Sequence, residues 1–242
     1  MATAQEHGTI RNVLFDFSGT LFRIETAVSW LRAALAAVGT GLPEEELRAT
    51  AAALERAGAL PGGPPPDSLP PALAAAWAVR DRSITEHRTA YTAAARRVPL
   101  PHPDLHEALY ERHMTPEAWL PYPDAAVVLG GLRQHGIRVG VVSNIGWDLR
   151  PVFLAHGLDP LVDTYTLSFE HGMQKPEAGL FEAACATLGA EPATTLMVGD
   201  DRRADGGAAA LGCAVHFVDP LPVAERPAGL LPVLDRAVGG AH

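Results

Sequence analysis

The chain has 242 residues, 48% of them hydrophobic, and a formal net charge of −9. An apolar fraction near half with modest charge argues against a disordered chain, and the negative balance argues against a general nucleic-acid binder, which needs a basic face. The length suits one large or two small domains around a sizeable core.

Two cysteines, Cys185 and Cys213, cannot build a disulfide framework, so a reducing interior and a plain core role are expected for both. Residues 1–9 are expected to form a flexible tail, being polar and lacking the apolar core of a signal peptide. No run approaches the roughly 20 apolar residues of a membrane span. The expectation is a cytoplasmic chain, monomer or homodimer, with a small-molecule substrate and neither a membrane nor a nucleic-acid partner. Among the 19 basic residues there is one lysine, Lys175.

In chain order, Val13-Leu14-Phe15 is an apolar run closed by Asp16-Phe17-Ser18-Gly19-Thr20, a buried strand ending at a tight turn. From about Phe22 to Leu120 the pattern is helical, with no convincing strand. Ala27–Val38 is a helix stopped by Gly39 and Gly41, and Pro43-Glu44-Glu45-Glu46 opens another, with acids at its positive end. Pro61–Pro66 is a loop by composition. A long helical pattern runs from Pro71 to about Arg97, and another lies between Pro103 and Trp119.

Beyond this block the chain alternates. Asp124–His135 reads as a helix with Asp124 as its N-cap. Ile137–Val142 is a strand and Asp148–His156 a helix. Val162–Leu167 is a strand, Pro176–Leu188 a helix and Thr194–Val198 a strand. Ala204–Leu211 is a helix, Ala214–Val218 a strand and Pro227–Val238 a last helix. Strands separated by helices specify βαβ units and a parallel sheet, an α/β fold. The simplest assembly places the first strand in the later sheet and makes the helical block an insertion over one edge.

In open parallel sheets ligands bind beyond the carboxyl ends of the strands. Four polar clusters fall there: Asp16–Thr20, Ser143-Asn144, Lys175-Pro176, and Gly199-Asp200-Asp201 with Asp205. Singly, each is ordinary turn, cap or surface chemistry. Together they make a device for phosphoryl transfer. A carboxylate can attack phosphorus and split one hard step into two. Two like-charged groups must then meet, which calls for a cation such as Mg²⁺, and Asp16 and Asp200 are its natural pair. Lys175 supplies fixed positive charge, the Ser143 hydroxyl can donate to a phosphoryl oxygen, and Gly19 lets the loop N–H groups form an anion nest.

These four clusters resemble the motifs of the haloacid dehalogenase superfamily in order and spacing, over roughly residues 10–23 and 120–238. The resemblance implies a Rossmann-like, doubly wound parallel sheet (10–23 plus 120–242) with an inserted α-helical cap (24–119). It implies Asp16 as nucleophile and metal ligand, with Asp200, Asp201 and the backbone carbonyl of Ser18 completing a Mg²⁺ site. Phe17, Gly19, Thr20, Ser143, Asn144 and Lys175 would bind the transferring group. Asp205 would orient Lys175 or a metal-bound water.

Ser18 departs from the pattern, because phosphatases of the superfamily carry there an Asp that protonates the leaving oxygen. General acid–base help is worth ~10²–10⁴-fold, and a serine supplies it poorly. A good leaving group or a group from the cap are two ways out, and a cap histidine, among His87, His102, His106 and His113, has a suitable pKa. The metal-free 2-haloacid dehalogenases carry Tyr at this position, need a cap arginine, for which Arg48 and Arg56 are candidates, and place neutral residues at the fourth cluster. A degenerate member acting as a binding or regulatory module is the third alternative. A phosphonate-cleaving relative needs a cap lysine, and this cap has none. Trp30, Trp77, Tyr91 and Trp119 are expected to pack the cap, and His171 and Met173 are minor candidates for lining the site.

Overall fold

Val13, Leu14 and Phe15 are fully buried, as a run without alternation requires of the middle strand in a sheet covered on both faces. The computed structural model describes residues 9–239, so the tail expected over residues 1–9 lies almost wholly outside the described residues. Its strands are β1 (Asn12–Phe15), β2 (Phe22–Ile24), β3 (Trp119–Pro121), β4 (Arg138–Ser143), β5 (Thr164–Leu167), β6 (Thr195–Gly199) and β7 (Ala214–Phe217). Its α-helices are α1 (Ala27–Ala37), α2 (Glu44–Arg56), α3 (Pro71–Ala78), α4 (Ile84–Ala95), α5 (Leu105–His113), α6 (Ala125–Gln134), α7 (Arg150–Ala155), α8 (Ser168–His171), α9 (Ala178–Leu188) and α10 (Leu231–Gly239).

Five strands form one sheet in the order β5-β4-β1-β6-β7, every pair parallel. β1 is central, with Phe15 in register with Val141 and Val198. The period of two sends Val13 and Phe15 to one face, with Val128, Leu129 and Leu132 of α6, and Leu14 to the other, with Leu180 and Phe181 of α9. Helices therefore cover both faces, the doubly wound α/β arrangement expected. Cys185 and Cys213 are free and buried. Among the described residues no helix is long and apolar enough to cross a membrane.

Four local expectations are corrected. The stretch thought free of strands contains β2 and β3, an antiparallel pair with Arg23 opposite Leu120. Three residues are too few for alternation to show, so tertiary pairing alone reveals them. The long pattern from Pro71 to Arg97 is broken at Arg80-Asp81-Arg82, a 3₁₀ turn. The cause is the Ser83 N-cap: its Oγ accepts from Glu86 N (3.1 Å) and donates to Glu86 Oε2 (3.0 Å), restarting the helix as α4. Asp124 stands at the N-cap of α6 as expected, but its side chain does not bond the helix N–H groups. Its Oδ2 accepts from Leu230 N (2.6 Å) and Leu231 N (3.2 Å), at the start of α10, because that chain end packs across α6. The segment Asp205–Leu211 is a 3₁₀ rather than an α-helix, with two glycines weakening its first turn.

The helical block between β2 and β3 does not stand apart. Its Trp30, Leu54 and Leu105 belong to the same buried cluster as Val13 and Phe15 of the sheet. Phe17, just after β1, packs in this cluster, its ring centroid 4.5 Å from that of Trp119 on β3 and 5.8 Å from that of Phe153 on α7.

Candidate active site

Asp16 follows β1, and its N–H still bonds to Val198 O (2.9 Å), so the sheet register aims its side chain past the strand ends. The loop after it is closed by Phe17 O, which accepts from Leu21 N and Phe22 N, each at 3.0 Å. Gly19 has φ +78°, and a Cβ there would lie 2.5 Å from Asp200 Oδ2, so glycine alone lets the loop lie against that carboxylate.

The loop has a clamp that sequence reasoning missed. Arg226 Nη1 donates to Gly19 O (2.7 Å) and Asp219 O (3.0 Å), and its Nη2 donates to Thr20 O. The guanidinium also lies over the Tyr122 ring. One arginine in a chain full of them, two hundred positions away, carries no sequence signal of this.

Lys175 is 3% exposed, and its Nζ donates to Asp16 Oδ1 (2.7 Å) and Asp205 Oδ1 (2.6 Å). Asn144 grips the Lys175 backbone from both sides: Oδ1 accepts from its N–H (2.6 Å) and Nδ2 donates to its carbonyl (2.9 Å). One carboxylate oxygen each from Asp16, Asp200 and Asp205 lies within 4.8 Å of the other two. Asp205 Oδ2 also accepts from Asp201 N (3.0 Å), so both its oxygens are engaged.

Burial pushes Asp16 up to about 6; Lys175 pulls it back and Asp200 adds to the rise. Burial likewise lifts Asp200 to about 6, helped by Asp205, and Asp205 to about 6 against the pull of Lys175. For Lys175, burial acts downward, but Asp16 and Asp205 outweigh it and hold the ammonium above its ordinary range.

Asp16, Phe17, Ser18, Ser143, Asn144, Lys175, Asp200, Asp201 and Asp205 all border one cavity of about 430 Å³. Several places differ from expectation. Gly19 and Thr20 do not border it; Thr20 is fully buried, held through its carbonyl by Arg226. Asn144 has its side chain engaged by Lys175 rather than open to a ligand. Asp201 is exposed at the rim, where its Oδ1 accepts from Arg203 N (2.8 Å) and Ala204 N (2.9 Å), while Asp205 takes the third place in the acid cluster.

The helical block closes the cavity. The loop Pro61–Pro65 roofs it, and a Cβ on Gly62 would fall 2.8 Å from Ser18 Oγ. Arg80, Asp81, His87, Tyr91 and Trp119 form the wall. Tyr91 and Trp119 thus pack and line at once. Arg48 and Arg56 stay away: Arg48 pairs with Glu44 on the surface, and Arg56 is exposed. His102, His106 and His171 lie outside the lining, and Met173 packs under α9. Among the described residues His87 is the one histidine that reaches the cavity.

Residues 10–212 match the family model of haloacid dehalogenase-like hydrolases. The ribulose-1,5-bisphosphate 5-phosphatase of Halopiger xanaduensis is 33% identical over 100 residues, 40% of this chain and 42% of that protein. Haloacid dehalogenase-like hydrolase domain-containing protein 3 of Bos taurus is 29% identical over 150 residues, 56% of this chain and 60% of that one. The matched segments therefore span 42% to 60% of the length of these relatives. Two solved structures share the fold. The L-2-haloacid dehalogenase of Xanthobacter autotrophicus has a TM-score of 0.63 at 21% identity, covering 94% of this chain and 87% of its own. A phosphatase of the same superfamily from Thermococcus onnurineus has 0.55 at 24%, covering 87% and 86%. With the family model running from β1 past Asp205, the chain belongs to the haloacid dehalogenase-like hydrolases.

Proposed function

We propose that the chain is a Mg²⁺-dependent phosphatase of a small phosphorylated metabolite, working through an aspartyl-phosphate on Asp16. The observation that carries this is the buried chain Asp16–Lys175–Asp205 with Asp200 against it. A metal-free dehalogenase has no use for the further carboxylate of Asp200 beside that chain. The relative named as a ribulose-1,5-bisphosphate 5-phosphatase supports the same class of reaction.

The donor set fits Mg²⁺: hard carboxylate oxygens, close together, on a loop that approaches Asp200 too closely to admit a Cβ. Asp16 and Asp200 would hold it, since both oxygens of Asp205 are already engaged. When bound, the ion neutralises phosphoryl oxygens and lets one anion approach another. Lys175 keeps Asp16 ionised and aligned. Ser143, 2% exposed at the end of β4, donates its hydroxyl to a phosphoryl oxygen. Asn144 and Asp205 position Lys175 and touch no substrate. The helical block acts as the cap that excludes water. A cavity of about 430 Å³ admits a metabolite, not a polymer.

The test is a phosphatase panel and a 2-haloacid panel, each with Mg²⁺ and with chelator, beside Asp16→Asn. Metal-dependent phosphate release that disappears in the variant is expected. Chloride release surviving chelation would overturn the proposal, and silence on both panels would favour a binding module.

A further inference from the structure

We propose that Asp81, carried over the site by the helical block, is the general acid–base residue that Ser18 cannot be. This rests on the phosphatase reading above. In an in-line displacement the leaving oxygen departs on the side opposite the nucleophile. Asp16 attacks from the sheet edge, so that oxygen faces the wall made by the helical block. Among the described residues Asp81 is the one carboxyl which that block adds to the cavity lining.

Asp81 is 3% exposed and sits in the 3₁₀ turn that separates α3 from α4. The turn is fastened to the core on both sides of Lys175. Ser168 Oγ donates to the Asp81 carbonyl while accepting from Ile145 N (2.8 Å), two residues after Ser143. Gln174 Nε2 donates to Ala78 O (2.7 Å), and Arg82 pairs with Glu177 (2.9 Å). The carboxyl itself is faced by Arg80 Nη2 (3.4 Å from Oδ2) and His87 Nε2 (3.9 Å from Oδ1). His87 Nδ1 and the Tyr110 hydroxyl share a hydrogen bond (2.8 Å), which fixes the ring with its Nε2 edge toward Asp81. His87 thereby becomes a positioning residue. Burial, with His113 and Arg80, holds its imidazole well below the ordinary range and so neutral. Burial pushes the Asp81 carboxyl up, against the pull of Arg80 and Lys175, which favours the protonated form an acid needs.

The two steps balance. An Asp16 carboxylate oxygen bonds to phosphorus, the phosphorus–oxygen bond to the leaving group breaks, and its electron pair takes the proton of Asp81. An alcohol and an aspartyl-phosphate result. The Asp81 carboxylate then removes a proton from water, whose oxygen bonds to phosphorus. The phosphorus–Asp16 bond breaks, its pair returns to the carboxylate, and inorganic phosphate leaves.

A departing nitrophenolate needs no proton, whereas an alkoxide does. The experiment is therefore kcat/KM for nitrophenyl phosphate and glycerol phosphate in the full chain and in Asp81→Asn. The variant is expected to lose about 100-fold on glycerol phosphate and no more than about tenfold on nitrophenyl phosphate, within the range of lost acid catalysis. Equal losses on both, or none on either, would overturn the assignment of Asp81. Should Asp81→Asn fail to fold, Asp81→Glu keeps a carboxyl there; its ratio of the two rates is expected to stay near that of the parent, and a shift toward nitrophenyl phosphate would overturn the assignment. Failure of the parent protein on both esters instead removes the phosphatase reading, and Asp81's role with it.

Discussion

Lys175 lies 2.7 and 2.6 Å from two carboxylates that would otherwise repel. An arginine, which this chain uses at every other basic position, would bring a planar fork too wide for that gap. Even so, the site is under electrostatic tension. Asp16, Asp200 and Asp205 titrate near 6 in the fold against an ordinary 3.8. Acids raised in this way stabilise the fold fully below about 3.8 and lose that contribution as pH rises through 6. At neutral pH the site therefore costs stability, as function often does. Asp200→Asn is expected to raise the melting temperature at pH 8 without metal by about 2–4 °C, the scale of ~1 kcal/mol in a chain of this size. It is also expected to abolish the upward shift that Mg²⁺ gives the parent. Thermal melts with Mg²⁺ and with chelator decide it; a Mg²⁺ response that persists in the variant sinks the assignment of Asp200.

At the scale of elements, α4 and α5 of the helical block meet through His87 and His113, whose rings stack with centroids 5.4 Å apart. Burial holds His113 down to about 3, with its Nδ1 on the Tyr110 carbonyl. Here the sign is opposite to that of the acids. Above 6.5 both folded and unfolded chains keep this histidine neutral; as pH falls from 6.5 toward 3 only the unfolded chain gains a proton, so the stabilising contribution drains away. His113→Phe removes that dependence. The stability gap between parent and variant is expected to narrow from pH 7.5 to pH 4.5, followed by urea titration; a constant gap would place the histidine's role elsewhere. The same helices show what a sequence hides and what it offers. Ser83-Ile84-Thr85-Glu86 was legible as a helix start, and reading it would have broken the long helix where Asp81 enters the cavity. β2 and β3 had no such signal, because three residues cannot display a period.

For the whole molecule, the buried cluster runs without a gap from the sheet into the helical block. Trp147, after β4, sits in the seam, with its ring 6.1 Å from Trp119 and 5.6 Å from His113. Calorimetric unfolding is expected as one transition. Trp147→Ala is expected to remove about 3–5 kcal/mol and to split off a lower transition for the helical block. Two transitions already present in the parent would show that the seam does not couple the two parts.

From the chain alone came the parallel sheet, the inserted helical block, and the polar clusters at the strand ends that hold Asp16, Ser143, Lys175 and Asp200. Those follow from local rules: apolar period, turn residues, and the placement of polar groups where strands stop. Only the tertiary structure decided that Asp205 rather than Asp201 joins the acids, that Asn144 holds Lys175, that Arg226 clamps the loop, and that Asp81 faces the site. Each of these depends on where a side chain points across 30 residues of chain or more, as with Lys175 to Asp205 at a separation of 30 and Arg226 to Gly19 at 207. Packing sets such directions after the elements have formed, and no local pattern encodes them.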